Sequence, residues 1–379
     1  MNTGGDYAFF CHSRVSVSVQ LCFLGCTPGT AEAFGGRSAD GLAIRRRSCP
    51  RPAGYRGLRQ DPDPGRGSFR PAGRHYAGRR NRELLGGICP HDDHLYSGRV
   101  MMELTERITA SRVILLGVFH KARLWNLEGK LVFDQFQAWH GPWGPVPVDE
   151  ASRSFLVENL PEEDFLISNT MHCREHSIEG IVPFLQHRNR DVQIIPVLVP
   201  YLNWLELTQL SDDFSDAIDA LLRRQGWKLG EDLQIVISSD AIHYGPDFDH
   251  APFGTGIEAY RRAVERDRDM IGQYLVGPLS SDSQHGLLSL LVDEAYPQTY
   301  RIPWCGRFSI PFGIEVLRKL SEKQGLQTPT ARLLRYGTSL EGPELEISDA
   351  TRKAGLGLTA PSNLHHWVGF FSVAIGQVR

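Results

Sequence analysis

The chain predicts an α/β fold: a single three-layer domain around a mixed, largely parallel sheet, preceded by a poorly ordered N-terminal extension. Three observations carry this expectation. Short apolar runs alternate with segments of helical period from residue 81 to residue 379, and no low-complexity linker interrupts them. Three of those runs end in a histidine: 84–90 leads into His91, 113–117 into His120, and 235–239 into Asp240 and His243. Open α/β sheets bind ligands beyond the carboxyl ends of their strands, so these three ends mark one candidate site. Residues 1–80, by contrast, lack aliphatic periodicity over most of their length.

Taken in order, residues 1–80 hold 13 Arg against 5 Asp plus Glu, a formal +8 that leaves −11 for the rest of a chain whose net charge is −3. No lysine precedes Lys121, and 37–80 is dense in Arg, Gly and Pro. Such a composition buries too little apolar surface to offset chain entropy, so 1–80 is read as a disordered extension and 81–379 as the folded domain. Expected strands are 84–89, 112–117, 193–199, 234–239 and 368–375, all short and apolar, as strands covered on both faces are. Expected helices are 176–187, 204–223, 257–275 and 310–323, where apolar residues recur at helical spacing. Gly245 and Gly325 fall at element ends.

Bulk properties exclude several classes. No run approaches the roughly 18 uncharged apolar residues needed to cross a bilayer. The negative net charge argues against general nucleic-acid affinity, which needs basic surface. The seven cysteines are odd in number, unevenly spaced and without a CxxC pair, so a reducing, cytoplasmic setting is expected rather than a disulfide framework. The apolar stretch 15–26 follows Asp6 and little positive charge, unlike a signal peptide. A small-molecule or peptide ligand is the expected partner. The oligomeric state is not legible.

Five motifs carry chemistry. In Pro90-His91-Asp92-Asp93-His94, Pro90 ends the ladder and turns His91 outward, while Asp92 or Asp93 caps the next helix. Gly117 permits a tight turn before His120. In Asp240-x-x-His243, a carboxylate can orient a histidine acting as general base, or both can bind metal; an N-cap with an incidental histidine is the plain alternative. His172-x-x-Glu175-His176 matches the inverted zinc-peptidase pattern, although the residues before it read as strand and loop; Glu175 and His176 can instead line the pocket. In Trp304-Cys305-Gly306-Arg307, Cys305 is a soft metal ligand, a thiolate favoured by Arg307, or a buried apolar residue.

In this order the segments resemble the Memo family, whose bacterial members are called AmmeMemoRadiSam system protein B. The resemblance runs over 81–379 through Pro90-His91 with Tyr96-x-Gly98, Leu116-Gly117-x-x-His120, Glu175-His176-Ser177-Ile178-Glu179, Ile195-Pro196-Val197-Leu198-Val199, Ser238-Ser239-Asp240-x-x-His243-x-Gly245, and Cys305-Gly306-Arg307. It implies a fold similar to class III extradiol dioxygenases, with His91, His120 and Cys305 at the metal positions and Asp240 and His243 beside them. Asp92, Asp93 and His94 depart from the family's small residues after the first histidine, and Phe119 and Lys121 depart around the second. Asp92, His94, Glu175, His176 and Arg307 are therefore expected to line a more charged pocket. Two imidazoles and a thiolate favour iron or copper, with zinc as a further option, over magnesium or calcium. The expected function is a mononuclear, metal-dependent oxidoreductase of dioxygenase type on a small molecule, with Asp240 and His243 as the catalytic pair. The alternatives are a non-catalytic binding module and a zinc hydrolase.

Overall fold

The computed structural model describes residues 84–341, 348–349 and 362–377. The expected extension at 1–80 lies outside them. Nearly all described residues belong to one compact unit, His75–Glu346 with Pro361–Arg379.

The parallel heart of the fold comprises β1 (Leu84–Cys89), β2 (Arg112–Val118), β7 (Gln193–Val199) and β8 (Leu233–Ser238), lying side by side in the order β1-β8-β2-β7. Their residues are buried almost throughout, as strands rich in Val, Ile and Leu and covered on both faces are. Beyond β7 follow β3 (Leu131–Phe133), antiparallel to it, and β6 (Phe165–Ile167) at one edge. Beyond β1 follow three antiparallel strands: β14 (Trp367–Gly376), β13 (Thr330–Thr338) and the edge strand β10 (Gly277–Pro278). The short β9 (His243–Tyr244) pairs with β14 and completes a ten-stranded mixed sheet. Two hairpins stand apart, β4 (Ala138–Gly141) with β5 (Gly144–Pro147), and β11 (Val292–Asp293) with β12 (Tyr296–Tyr300).

Helices cover both faces. Gly87 and Ile237 point to opposite faces of the sheet, because Ile88 pairs with Ile237 and successive residues alternate. A Cβ on Gly87 would meet Leu104 of α1 (His94–Thr105), whereas Ile237 meets Gly313 of α8 (Ser309–Lys323). On the α8 side, Phe214 of α5 (Trp204–Gln225) stacks on Phe312 and packs edge-on against Phe133. Asp93 is the N-cap of α1, accepting from the Leu95 amide, so the expected aspartate cap is the second of the pair. Asn203 and Glu206 form a capping box on α5, and Gly226 ends it in the left-handed conformation. α6 (Ile257–Tyr274) follows its expected bounds to one residue.

One expected helix is shorter than its period implied. Residues 176–187 read as a single helix, but α4 is Val182–Arg188 and residues 177–181 form turns. Glu175 accepts from the His176 and Ser177 amides, and Gly180 presses on the His91 carbonyl. Tertiary contacts thus override helical spacing while Ile178 and Ile181 stay buried.

Candidate metal centre

The carboxyl ends of adjacent strands β1, β8 and β2 bring His91, Asp240 and His120 together, and the segment between β12 and α8 brings Cys305. One ligand atom from each of His91, His120 and Cys305 lies within 4.8 Å of the other two. Two overlapping groups meet the same distance: Asp240, His243 and Cys305, and His120, Glu175 and His176. The sequence-predicted metal residues therefore converge, and the two residues expected to be catalytic adjoin them.

His91 is 3 % exposed. Its Nδ1 lies 2.7 Å from Ser238 Oγ, and its backbone N–H donates to Asp240 Oδ1 at 3.0 Å. Its Nε2 is 3.1 Å from Asp240 Oδ2 yet makes no hydrogen bond, because close approach without alignment does not suffice. A buried ring nitrogen without a partner is costly. This one faces a second imidazole and a sulfur. Burial pushes His91 well below the ordinary histidine range, and His120, His176 and His243 add to the effect.

Glu175 holds His120 at ring and main chain together: Nδ1 lies 2.8 Å from Oε1, and the backbone N–H donates to Oε2 at 2.7 Å. Burial opposes both charges, but the pairing prevails, placing His120 at about 10 and Glu175 at about 2. The His176 ring stacks on His120 at 4.7 Å between centroids and is partly open to solvent.

Burial pushes the Cys305 thiol up, and His120 and Arg307 oppose that without reversing it. Arg307 thus favours the expected thiolate less than burial opposes it. Arg307 Nη1 donates to the Trp304 carbonyl at 2.9 Å, and its guanidinium lies 4.8 Å from the Tyr300 ring centre.

His243 lies with Nε2 3.7 Å from Cys305 Sγ and its ring edge-on to Phe248. No Asp240–His243 hydrogen bond occurs among the described residues. Asp240 Oδ1 accepts from the amides of His91 and Asp92, whereas His243 Nδ1 faces the Ala241 carbonyl at 3.4 Å. Burial, with the Asp92 charge beside it, pushes Asp240 upward. Asp92 is half-buried and accepts from the Asp93 amide. His94 lies outside the clustered groups; its Nε2 is 2.8 Å from the Gly180 carbonyl oxygen and its ring packs edge-on to Phe184.

The inverted peptidase arrangement is not built. His172 is buried at the end of a short helix, α3 (Asn169–Cys173), with Nε2 3.0 Å from the Val132 carbonyl oxygen and its ring against Trp139. Only Glu175 and His176 of that pattern reach the cluster. The inverted-peptidase reading of these residues is therefore corrected.

Two contributors went unread in the sequence as site residues. Ser238 touches His91, and Asp267 of α6 accepts from Trp304 Nε1 at 2.6 Å and from the Tyr336 hydroxyl at 2.8 Å, bracing the residue before Cys305. A serine closing the apolar run 235–237 was the available signal for Ser238. Nothing local marked Asp267, which lies on a helix far away in sequence.

The fit to a metal follows from the donors. An unpartnered buried imidazole nitrogen, a second imidazole oriented by a carboxylate, and a cysteine suit a transition metal and not magnesium or calcium.

Relatives of this chain carry the same combination of names. A MEMO1 family protein of Aquifex aeolicus is 30% identical over 164 residues, covering 42% of this chain and 54% of that protein. One from Methanosarcina barkeri is 30% identical over 169 residues, covering 44% and 57%, so the chain spans about half the length of these relatives. One from Methanosarcina mazei is 26% identical over 262 residues, covering 69% and 80%. The crystal structure of uncharacterized protein JW3007 from Escherichia coli K12 aligns with a TM-score of 0.41 at 12% identity, over 77% of this chain and 99% of that one. The Memo-like protein family model matches residues 69–348, beginning ahead of the expected boundary at 81, and over that span the chain belongs to the Memo-like protein family.

Proposed function

We propose that this protein binds a single transition metal through His91, His120 and Cys305, and that the loaded site is an oxidoreductase acting on a small molecule. The observation that carries the reading is His91 Nε2, buried and without a hydrogen-bond partner beside the ring of His120 and the sulfur of Cys305. Iron or copper bound there would supply redox chemistry, whereas zinc would activate water.

The chain's own residues divide the remaining work. Glu175 orients His120 through Nδ1 and its backbone. His243 is half-buried beside Cys305, where its imidazole can accept a proton from a substrate hydroxyl. Asp92 and His176 are partly open to solvent beside the cluster and keep that side polar.

Metal analysis of untagged protein, followed by anaerobic reconstitution, tests the binding claim. We expect one transition-metal equivalent per chain, lost in His91→Ala and His120→Ala. No uptake by the intact protein would defeat the reading. Oxygen consumption with catechols tests the redox claim, and His120→Ala should abolish it. Binding without turnover is the second reading, favoured by one observation: among the described residues, no carboxylate is hydrogen-bonded to the His243 ring.

A further inference from the structure

We propose that Ser238 is a positioning residue that fixes the His91 ring in the tautomer protonated on Nδ1, so that Nε2 presents a bare lone pair to the cluster. Ser238 closes β8 and is 1 % exposed. Its Oγ lies 2.6 Å from the Ser177 carbonyl oxygen and 2.7 Å from His91 Nδ1. A carbonyl oxygen only accepts, and a hydroxyl has one hydrogen to give. That hydrogen goes to Ser177, so the Ser238 lone pair is left to receive, and Nδ1 must donate. A neutral imidazole carries one N–H, and Nε2 is therefore unprotonated.

The opposite arrangement fails on two counts. Were Ser238 to donate to Nδ1, its oxygen and the Ser177 carbonyl would face each other at 2.6 Å with no proton between them. The displaced N–H would sit on Nε2, which finds no hydrogen-bond partner although Asp240 Oδ2 lies 3.1 Å away. A doubly protonated ring meets the same obstacle, since its Nε2–H would be buried without an acceptor.

The relay also ties three strand ends together. His91 follows β1, Ser238 ends β8, and the Ser177 hydroxyl donates to the Val118 carbonyl at the end of β2 at 2.7 Å. Each of the two histidines is thus held through Nδ1 by a different acceptor, a neutral hydroxyl for His91 and a carboxylate for His120. The tautomer is a property of the metal-free chain; its consequence for metal uptake rests on the metal reading above.

The test is long-range proton–nitrogen correlation on the full chain, nitrogen-15 labelled and stripped of metal with a chelator. The His91 ring is assigned by its loss in His91→Gln. We expect the proton on Nδ1 in the wild type and on Nε2 in Ser238→Ala, a change that a merely structural role would not produce. Zinc titration against a chromophoric chelator should then show Ser238→Ala about 10–100-fold weaker, the range for losing an outer-shell partner of a ligating histidine. A wild-type ring protonated on Nε2 overturns the assignment even if zinc binds, as does unchanged zinc affinity in a folded Ser238→Ala. If Ser238→Ala does not fold, the wild-type spectrum alone decides. A wild type protonated on Nδ1 that takes up no zinc supports the role of Ser238 and defeats the metal reading alone.

Discussion

Glu175 holds His120 at two points, its Oε1 2.8 Å from the ring Nδ1 and its Oε2 2.7 Å from the backbone nitrogen. Its Oε1 also accepts from the amides of His176 and Ser177, so one buried carboxylate both orients a candidate ligand and shapes the turn after it. Glu175→Ala should therefore cost about 3 kcal/mol of stability, as expected when a buried charge loses its partner. Metal affinity should fall about 10–100-fold. Chemical denaturation and chelator competition measure the two effects. Lost stability with unchanged affinity would confine Glu175 to building the turn.

Gly306 allows no side chain. A Cβ there would lie 2.3 Å from both Cβ and Oγ of Ser239, whose hydroxyl also accepts from the Gly306 amide at 3.0 Å. Gly306→Ala should push Cys305 out of register, lowering metal occupancy and costing about 1–3 kcal/mol through overpacking. Gly272→Ala is the matched control: it lies within α6, is exposed and has open space around its Cβ position. It should raise stability by about 0.5–1 kcal/mol. Equal thermal melts for the two variants would contradict the steric account.

Much of this centre was legible because its parts end buried strands. Histidine or aspartate after an apolar run is a local pattern, and β1 and β7 match their expected bounds. The hairpins β4–β5 and β11–β12 were missed because their strands are two to five residues long and mostly solvent-facing, which leaves no apolar run to read. Local reading failed differently at 176–181, where the spacing of Ile178 and Ile181 is helical but the backbone answers to Glu175 and His91. The Asp267–Trp304 brace joins residues 37 apart in sequence, and such pairings lie beyond any window of local pattern.

That brace predicts a pH dependence. Burial raises the Asp267 carboxyl to about 6, and the hydrogen bonds from Tyr336 and Trp304 only partly offset it. The folded state thus holds this proton more tightly than the unfolded chain, where the ordinary value is 3.8. The stability it contributes is full below about pH 4 and is lost as pH rises to about 6. At 1.36 kcal/mol per unit, the loss is about 3 kcal/mol. Subtracting the Asp267→Asn stability curve from the wild-type curve over pH 4–7 isolates this contribution. A flat difference would show that the carboxyl ionises without penalty in the fold.

The third ligand is decided by comparing Cys305→Ser with Asp240→Asn. Both residues belong to ligand-competent groups, and Cys305 belongs to two of them. Yet Asp240 Oδ1 is engaged by the amides of His91 and Asp92, while Cys305 Sγ lies among imidazoles, 3.7 Å from His243 Nε2 and within hydrogen-bond reach of His120. A cysteine sulfur among imidazoles, with no carboxylate role to give up, is the better placed to bind a soft cation. Cys305→Ser should therefore abolish tight binding of copper(I), which thiolates select, and weaken that of zinc or iron(II). Asp240→Asn keeps an acceptor for the two amides and should retain stoichiometric metal. Equilibrium dialysis of each variant with each ion reads the difference. If Asp240→Asn loses the metal and Cys305→Ser keeps it, the centre is a two-histidine, one-carboxylate site, and Cys305 is a packed thiol behind it. Iron(II) would then be the metal to reconstitute first, because that donor set with open positions is the one non-haem oxygenases use.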